Sequence, residues 1–413
     1  MTETTRTVML ILLLAFIALT GGRLILRKRT RQAVPLLRLH TAMYLVVGVA
    51  LGRHGLGLLA SETLVNLEPL LQLALGWAGL MFGLQFNRRS LRQFPPSWAA
   101  AAGLQAVVTV LVLALVMGSA FIRFFDWEGA RFWLALLLVT VAGAASSPAE
   151  PALAASGSGR IRKRFAQFVN YAASLDPVLP IVILGAAAGW FHAGGGGLVP
   201  ALEWTAASIL TGLAMGFMFY SYARHKHTEK ELAMMIIAFA ILAGGIAAYL
   251  KLSSLLISMV MGVLVGNSLK DTGERVFRVL VVRERPILVV LLVIVGASWD
   301  PVRIADLVPV AACLMIFLAA RVGAKLIGAF LFSPLVREEM EGAGAGGGLA
   351  LIGQGGMSIA LLANHQLLFV GYGAADAVTI VLAGLVIAEA VAAHAARLAL
   401  EHRRIEARKE GGS

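Results

Sequence analysis

The chain has 413 residues, of which 59% are hydrophobic and 14% charged, with a formal net charge of +12. A soluble domain carries roughly 25% charged residues, and one this apolar would expose large aggregating patches, so an ordinary soluble enzyme and a disordered chain are both excluded. The basic excess lies between long apolar runs, which favours a membrane over a nucleic acid as partner, and the single Cys313 cannot form an intrachain disulfide.

A helix needs about 20 apolar residues to cross the hydrocarbon layer. Such runs fall at 7–26, 34–52, 67–86, 97–122, 131–155, 164–191, 201–223, 231–250, 252–269, 285–299, 305–332, 345–369 and 374–396. They predict an all-α polytopic membrane protein of about 13 transmembrane helices, with short linkers and a basic tail at 401–413. The first run has its basic cluster after the apolar stretch, opposite to a signal peptide, and reads as a retained helix.

The positive-inside rule tests this count. With an external N-terminus, the cytoplasmic segments carry 26 Lys and Arg and the external ones 6. That asymmetry places the C-terminus in the cytoplasm and suits a plasma (inner) membrane protein.

Ionisable groups deep in a bilayer are costly and mark candidate sites. Asp176 lies twelve residues past Arg164, or about 18 Å from the cytoplasmic face, and Arg321 a similar depth from the external one. Lys325 follows Arg321 by four residues, on the same helix face. Glu150 is a fourth group at depth. A purely structural salt bridge is the plain alternative for these charges. The histidines His192, His225, His227, His365, His394 and His402 fall mostly at loops or span ends and read as surface or interfacial groups.

Two spans are broken near mid-depth. Ala145-Ser146-Ser147-Pro148-Ala149-Glu150-Pro151 holds two prolines, Pro148 and Pro151, that remove helix donors. Gly353-Gln354-Gly355-Gly356 places three glycines within four residues. Non-helical backbone survives at this depth only where it is buried in protein or lines a cavity. Paired breaks in two chain halves are the general pointer to a secondary-transporter site. An internal match, Val47–Gly52 with Met261–Gly266, supports inverted repeats with two broken crossing helices. Gly194–Gly197 and Gly342–Gly348 read as hinges or plain flexible loops.

Taken together, these pieces resemble the cation–proton antiporter superfamily, the thirteen-helix sodium/proton and potassium/proton exchangers. The likeness rests on GVALGRHGLGLL (48–59), LMFGLQFNRRSLR (80–92), Ser146-Ser147-Pro148, RFAQFVNYAASLD (164–176), Leu252–Asn267, RVGAKLIGAF (321–330) and Gly353–Gly356. Their shared order across nearly the whole chain is specific. Gln85 stands where the family commonly has an acid, and Leu175 where a polar partner of the carboxylate is common.

The resemblance implies exchange of sodium or potassium for protons by elevator-type alternating access, with cation and proton competing at Asp176. Oxygen ligands would come from Asp176, the Ser146 and Ser147 hydroxyls and unwound carbonyls at Ala145–Ser147, with Asn170 and Glu150 as further contributors. The resemblance does not extend to Glu150; by the half-helix dipoles, Lys325 would sit at the negative ends and Glu150 at a positive one, or Glu150 would pair with Arg321 or Lys325 or titrate as a second acid, with Arg321 and Lys325 compensating charge. The missing polar partner at Leu175 favours one cation per proton. The resemblance implies a homodimer with a scaffold part at 1–92 and 230–303, a linker helix at 201–223 and an ion-transport core at 97–191 and 304–400. No cofactor, enzyme activity or nucleic acid is implied. A channel-like cation pathway and a non-transporting sensor or scaffold with the same fold remain as alternatives.

Overall fold

The computed structural model describes residues 9, 12–14, 16, 34–59, 61–147, 160–192, 197–225, 227–268, 270–340, 344–371 and 375–410. Its long helices are α1 (Val34–Leu51), α2 (Glu68–Leu84), α3 (Pro96–Phe124), α4 (Gly129–Ala144), α5 (Arg160–Leu175), α6 (Val178–Phe191) and α7 (Leu198–Ala223). They continue with α8 (Glu229–Leu250), α9 (Ser254–Ser268), α10 (Lys270–Ala297), α11 (Leu307–Phe332), α12 (Gly355–Leu368) and α13 (Ala375–Glu410). The protein is a helical membrane protein whose elements follow the expected spans from 34–52 onward. Most of the first expected span lies outside the described residues.

Boundaries differ where charge obscures the apolar pattern. α10 starts at Lys270, well before the expected 285, because its first half is rich in Arg and Glu yet remains helical. α13 likewise runs to Glu410 through a charged end. The expected span 164–191 is interrupted at Asp176-Pro177, between α5 and α6. A 3-10 helix spans Gly344–Leu351, taking in the described part of the expected hinge or loop at Gly342–Gly348 and the start of the expected span 345–369. Gly194–Gly196, Gly342 and Ala343 lie outside the described residues.

Apolar helices in lipid gain little by hiding from water, so close backbone contact must hold them together. The internal sequence match does this twice. In α1, a Cβ on Gly48 would sit 2.9 Å from the Cα of Gly296 in α10. In α9, a Cβ on Gly262 would sit 3.0 Å from the Cα of Gly83 in α2. Glycine meets glycine at both crossings, and any side chain would force the backbones apart. These helices, with α8, form one group. A second group is built on α3 packed along α11, with α4, α5, α6, α12 and α13.

Turns cluster at two ends. At one, Arg88 N–H donates to Asn267 Oδ1 (2.8 Å), Arg275 donates to the His227 carbonyl (2.6 Å), and Arg164 pairs with Glu338. At the other, Arg53 pairs with Asp300 (2.7 Å) and Arg131 with Asp376 (3.6 Å). Each contact joins turns that the charge count assigns to the same side. We refer to the first as the basic end.

Candidate functional site

Two segments leave helical geometry where they meet in the second group. α4 stops at Ala144, and Ala145 turns extended at φ −61°, ψ 134°. The expected break is therefore seen as far as Ser147; Pro148, Glu150 and Pro151 lie outside the described residues. The second crossing element is the 3-10 helix Gly344–Leu351 followed by α12, bent by 59° around residues 352–354. Gly355 opens α12 at φ +68°, a left-handed angle that favours glycine. A Cβ there would also lie 2.7 Å from Ser147 Oγ.

The unwound segments satisfy one another. Ser147 N–H donates to the Gly353 carbonyl at 2.7 Å, and Ser146 Oγ donates to the Leu351 carbonyl at 2.9 Å. Gln354 Nε2 donates to the Ala142 carbonyl at 3.2 Å, which Ser358 Oγ also reaches at 2.6 Å. Each bond replaces one the helix lost, and each would be expensive to leave unmade at this depth.

Helix C-termini carry partial negative charge. Two cations of α11 sit against these ends. Arg321 donates through Nη2 to the carbonyls of Ala145 (3.0 Å), Ile352 (3.0 Å) and Gly353 (3.2 Å), so one guanidinium grips both breaks. Lys325 Nζ donates to the Ala144 carbonyl at 3.2 Å and to Asp176 Oδ2 at 2.5 Å. Asp176, Arg321 and Lys325 are each at most 1% exposed. The second carboxylate oxygen, Asp176 Oδ1, and Arg321 Nη1 have no hydrogen-bond partner among the described residues.

The structure therefore brings Asp176, Ala145, Ser146, Ser147, Arg321, Lys325, Gly353, Gln354 and Gly355 to one crossing. The carbonyl of Ala145 is engaged by Arg321 rather than open to a ligand. Asn170 lies elsewhere, lining an outer cavity with its Oδ1 unpartnered, as its poor helical alignment with Asp176 foretells.

One acid escapes the sequence reading. Glu389 of α13, 9% exposed, accepts the N–H of Gly355 at 2.7 Å, at the positive end of α12. That is the kind of role the half-helix dipoles suggest for Glu150 in the sequence. A signal for it exists, since Glu389 is a carboxylate inside an apolar span. His365 also departs from its surface reading: it is 3% exposed and its Nε2 donates to the Leu134 carbonyl at 2.9 Å.

The crossing is reached from the basic end. An outer cavity of about 510 Å³ is lined by Gln85, Asn87, Asn170, Ser174 and Glu274, among others. It shares Gln85, Ser174 and Phe277 with an inner cavity of about 500 Å³ that extends to Ser146, Ser147, Pro177 and Gln354. A largely apolar route carrying these polar side chains thus leads to the segment beside Asp176.

Comparison with known proteins agrees with this architecture. No curated protein matches the sequence. Among solved structures, the chain is similar to the sodium proton antiporter MjNhaP1 from Methanocaldococcus jannaschii, with a TM-score of 0.64 and 15% identity. The match covers 96% of this chain and 99% of that one, and at such low identity it speaks for the fold. The family model for the sodium/hydrogen exchanger transmembrane region matches residues 12–401. A chain matched over nearly its whole length, with two broken helices crossing beside a buried acid, belongs to the sodium/hydrogen exchanger family.

Proposed function

We propose that the protein exchanges a monovalent cation, sodium or potassium, for protons by alternating access around Asp176. The observation that carries this reading is a fully buried carboxylate with one oxygen on Lys325, the other unpartnered among the described residues, and a cavity reaching the neighbouring Pro177. An ionised acid in such a place is tolerable only with a compensating charge. Lys325 provides it while the site is empty. An arriving cation replaces the ammonium at the carboxylate; a proton neutralises the carboxylate instead. Either way one ligand excludes the other, which is the coupling an exchanger needs. Hard monovalent cations take oxygen ligands, available from Asp176 and the Ser146 and Ser147 hydroxyls.

The second helix group, residues 97–191 and 304–400, would serve as the moving core. The glycine-locked first group, 1–92 and 230–303, would be the scaffold and homodimer surface, with 201–223 as the linking helix. The basic end faces the cytoplasm by the positive-inside rule, so the cavities describe an inward-facing state. Leu175 leaves a single acid at this position and favours one cation per proton.

The test is cation-dependent dequenching of a pH dye in everted vesicles. Asp176→Asn is expected to abolish it. Undiminished exchange by that variant would overturn the role given to Asp176.

A further inference from the structure

The inner cavity contains a carboxylate that the exchange chemistry at Asp176 does not use. Six residues of α10 line it, of which Phe277, Val281, Glu284, Leu288 and Leu291 recur at three- and four-residue spacing as one stripe with Ile287 beside it. All but Glu284 are apolar. Glu284 is half-buried, and it is the only ionisable residue in the lining of this cavity among the described residues. No ion pair involving Glu284 is present among the described residues. Arg283, one neighbour in sequence, turns its Nη1 to the Val279 carbonyl at 3.3 Å, while Arg285, the other, is exposed, lies outside the cavity lining and acts on Glu284 only through space.

A half-buried carboxylate in an apolar stripe is a cost to folding unless something uses its charge. Oxygen donors on the same cavity indicate what does. Gln354 is fully buried, and its Oε1 has no hydrogen-bond partner among the described residues while its Nε2 is occupied by the Ala142 carbonyl. Gln85 and Ser147 line the same space. An acid, two amide oxygens and a hydroxyl with no cation among them suit a positively charged ligand. The cavity, about 500 Å³, is far larger than a bare ion and has room for a hydrated one. Ten residues towards the basic end on the same helix, about 15 Å away, Glu274 is the only carboxylate lining the outer cavity among the described residues.

We propose that Glu284 forms a staging site for a partly hydrated monovalent cation, lying on the scaffold side of the route between the basic end and Asp176. The inference rests on the exchange reading and adds a second cation site to it. Glu284 raises the local concentration of cation beside the crossing and excludes anions from it. Because it belongs to the first helix group, it does not travel with Asp176, and it acts on loading from one side only.

The test measures exchange in everted vesicles, whose outer face carries the basic end, as a function of added sodium or potassium. Glu284→Gln is expected to raise the half-saturating cation concentration about fivefold while the maximal rate stays within about twofold, the pattern of lost ground-state binding. Glu284→Asp is expected to restore most of the affinity. An unchanged half-saturating concentration in the Gln variant, in vesicles where the intact chain exchanges, overturns the staging site and leaves the exchange reading standing. A loss of maximal rate at unchanged half-saturation also overturns it. Absence of exchange by the intact chain overturns both readings. Monodisperse purification and an unshifted melting temperature of the Gln variant separate its effect from misfolding.

Discussion

The two ends of the interface between the helix groups are built differently. Away from the basic end, side chains bond directly across it. Asn364 Nδ2 donates to Ser253 Oγ at 2.7 Å, Trp299 Nε1 to Thr379 Oγ1 at 2.9 Å, and His192 Nε2 to the Leu250 carbonyl at 2.7 Å. Ser298 Oγ adds a longer bond to Gln366 at 3.2 Å. Towards the basic end, the same two groups are separated by cavities of about 510 and 500 Å³. One end is latched by polar contacts and the other is held open. The polar bonds belong at the closed end because a buried donor must be paired there, whereas residues lining a cavity can turn to water.

Single-cysteine variants in a Cys313→Ser background test this contrast most strongly. Ser174→Cys, on both cavities, is expected to react with a hydrophilic maleimide at least about tenfold faster than Ser254→Cys, whose position is fully buried at the latched end and becomes reactive only through opening. Equal rates would break the comparison. A smaller effect is expected from Asn364→Ala. It removes one interface bond worth about 1 kcal/mol and should speed labelling at residue 254 roughly fivefold. Smaller still is Trp299→Phe, which deletes one donor on a half-buried partner and should change that labelling by about twofold. If the two substitutions had no effect, the bonds would be incidental to closure.

Much of this was legible in the sequence. Depth counting placed Asp176 and Arg321 near mid-membrane from opposite sides, and the structure brings Asp176 together with Lys325, one turn beyond Arg321. The two breaks were visible because proline and clustered glycine disrupt helices wherever they occur. The pairing of α1 with α10 and α2 with α9 was half visible: the Val47–Gly52 and Met261–Gly266 match named two of the four helices, but not the glycines they meet. Glu389 escaped because its span was read as uniformly apolar. The length of α10 escaped because hydropathy detects lipid-facing residues, and the first half of that helix is charged. The cavities had no signature, since they arise from the spacing between groups distant in the chain.

Arg321 and Lys325 have one more consequence. A membrane that stores a proton gradient must not leak, and unwound backbone at mid-depth invites a thread of waters along its free carbonyls. Here the carbonyls of Ala144, Ala145, Ile352 and Gly353 are already occupied by the two cations. Their positive charge also repels hydronium. The unwound crossing is thereby insulated at its weakest point, and the polypeptide can be open in geometry while closed to current.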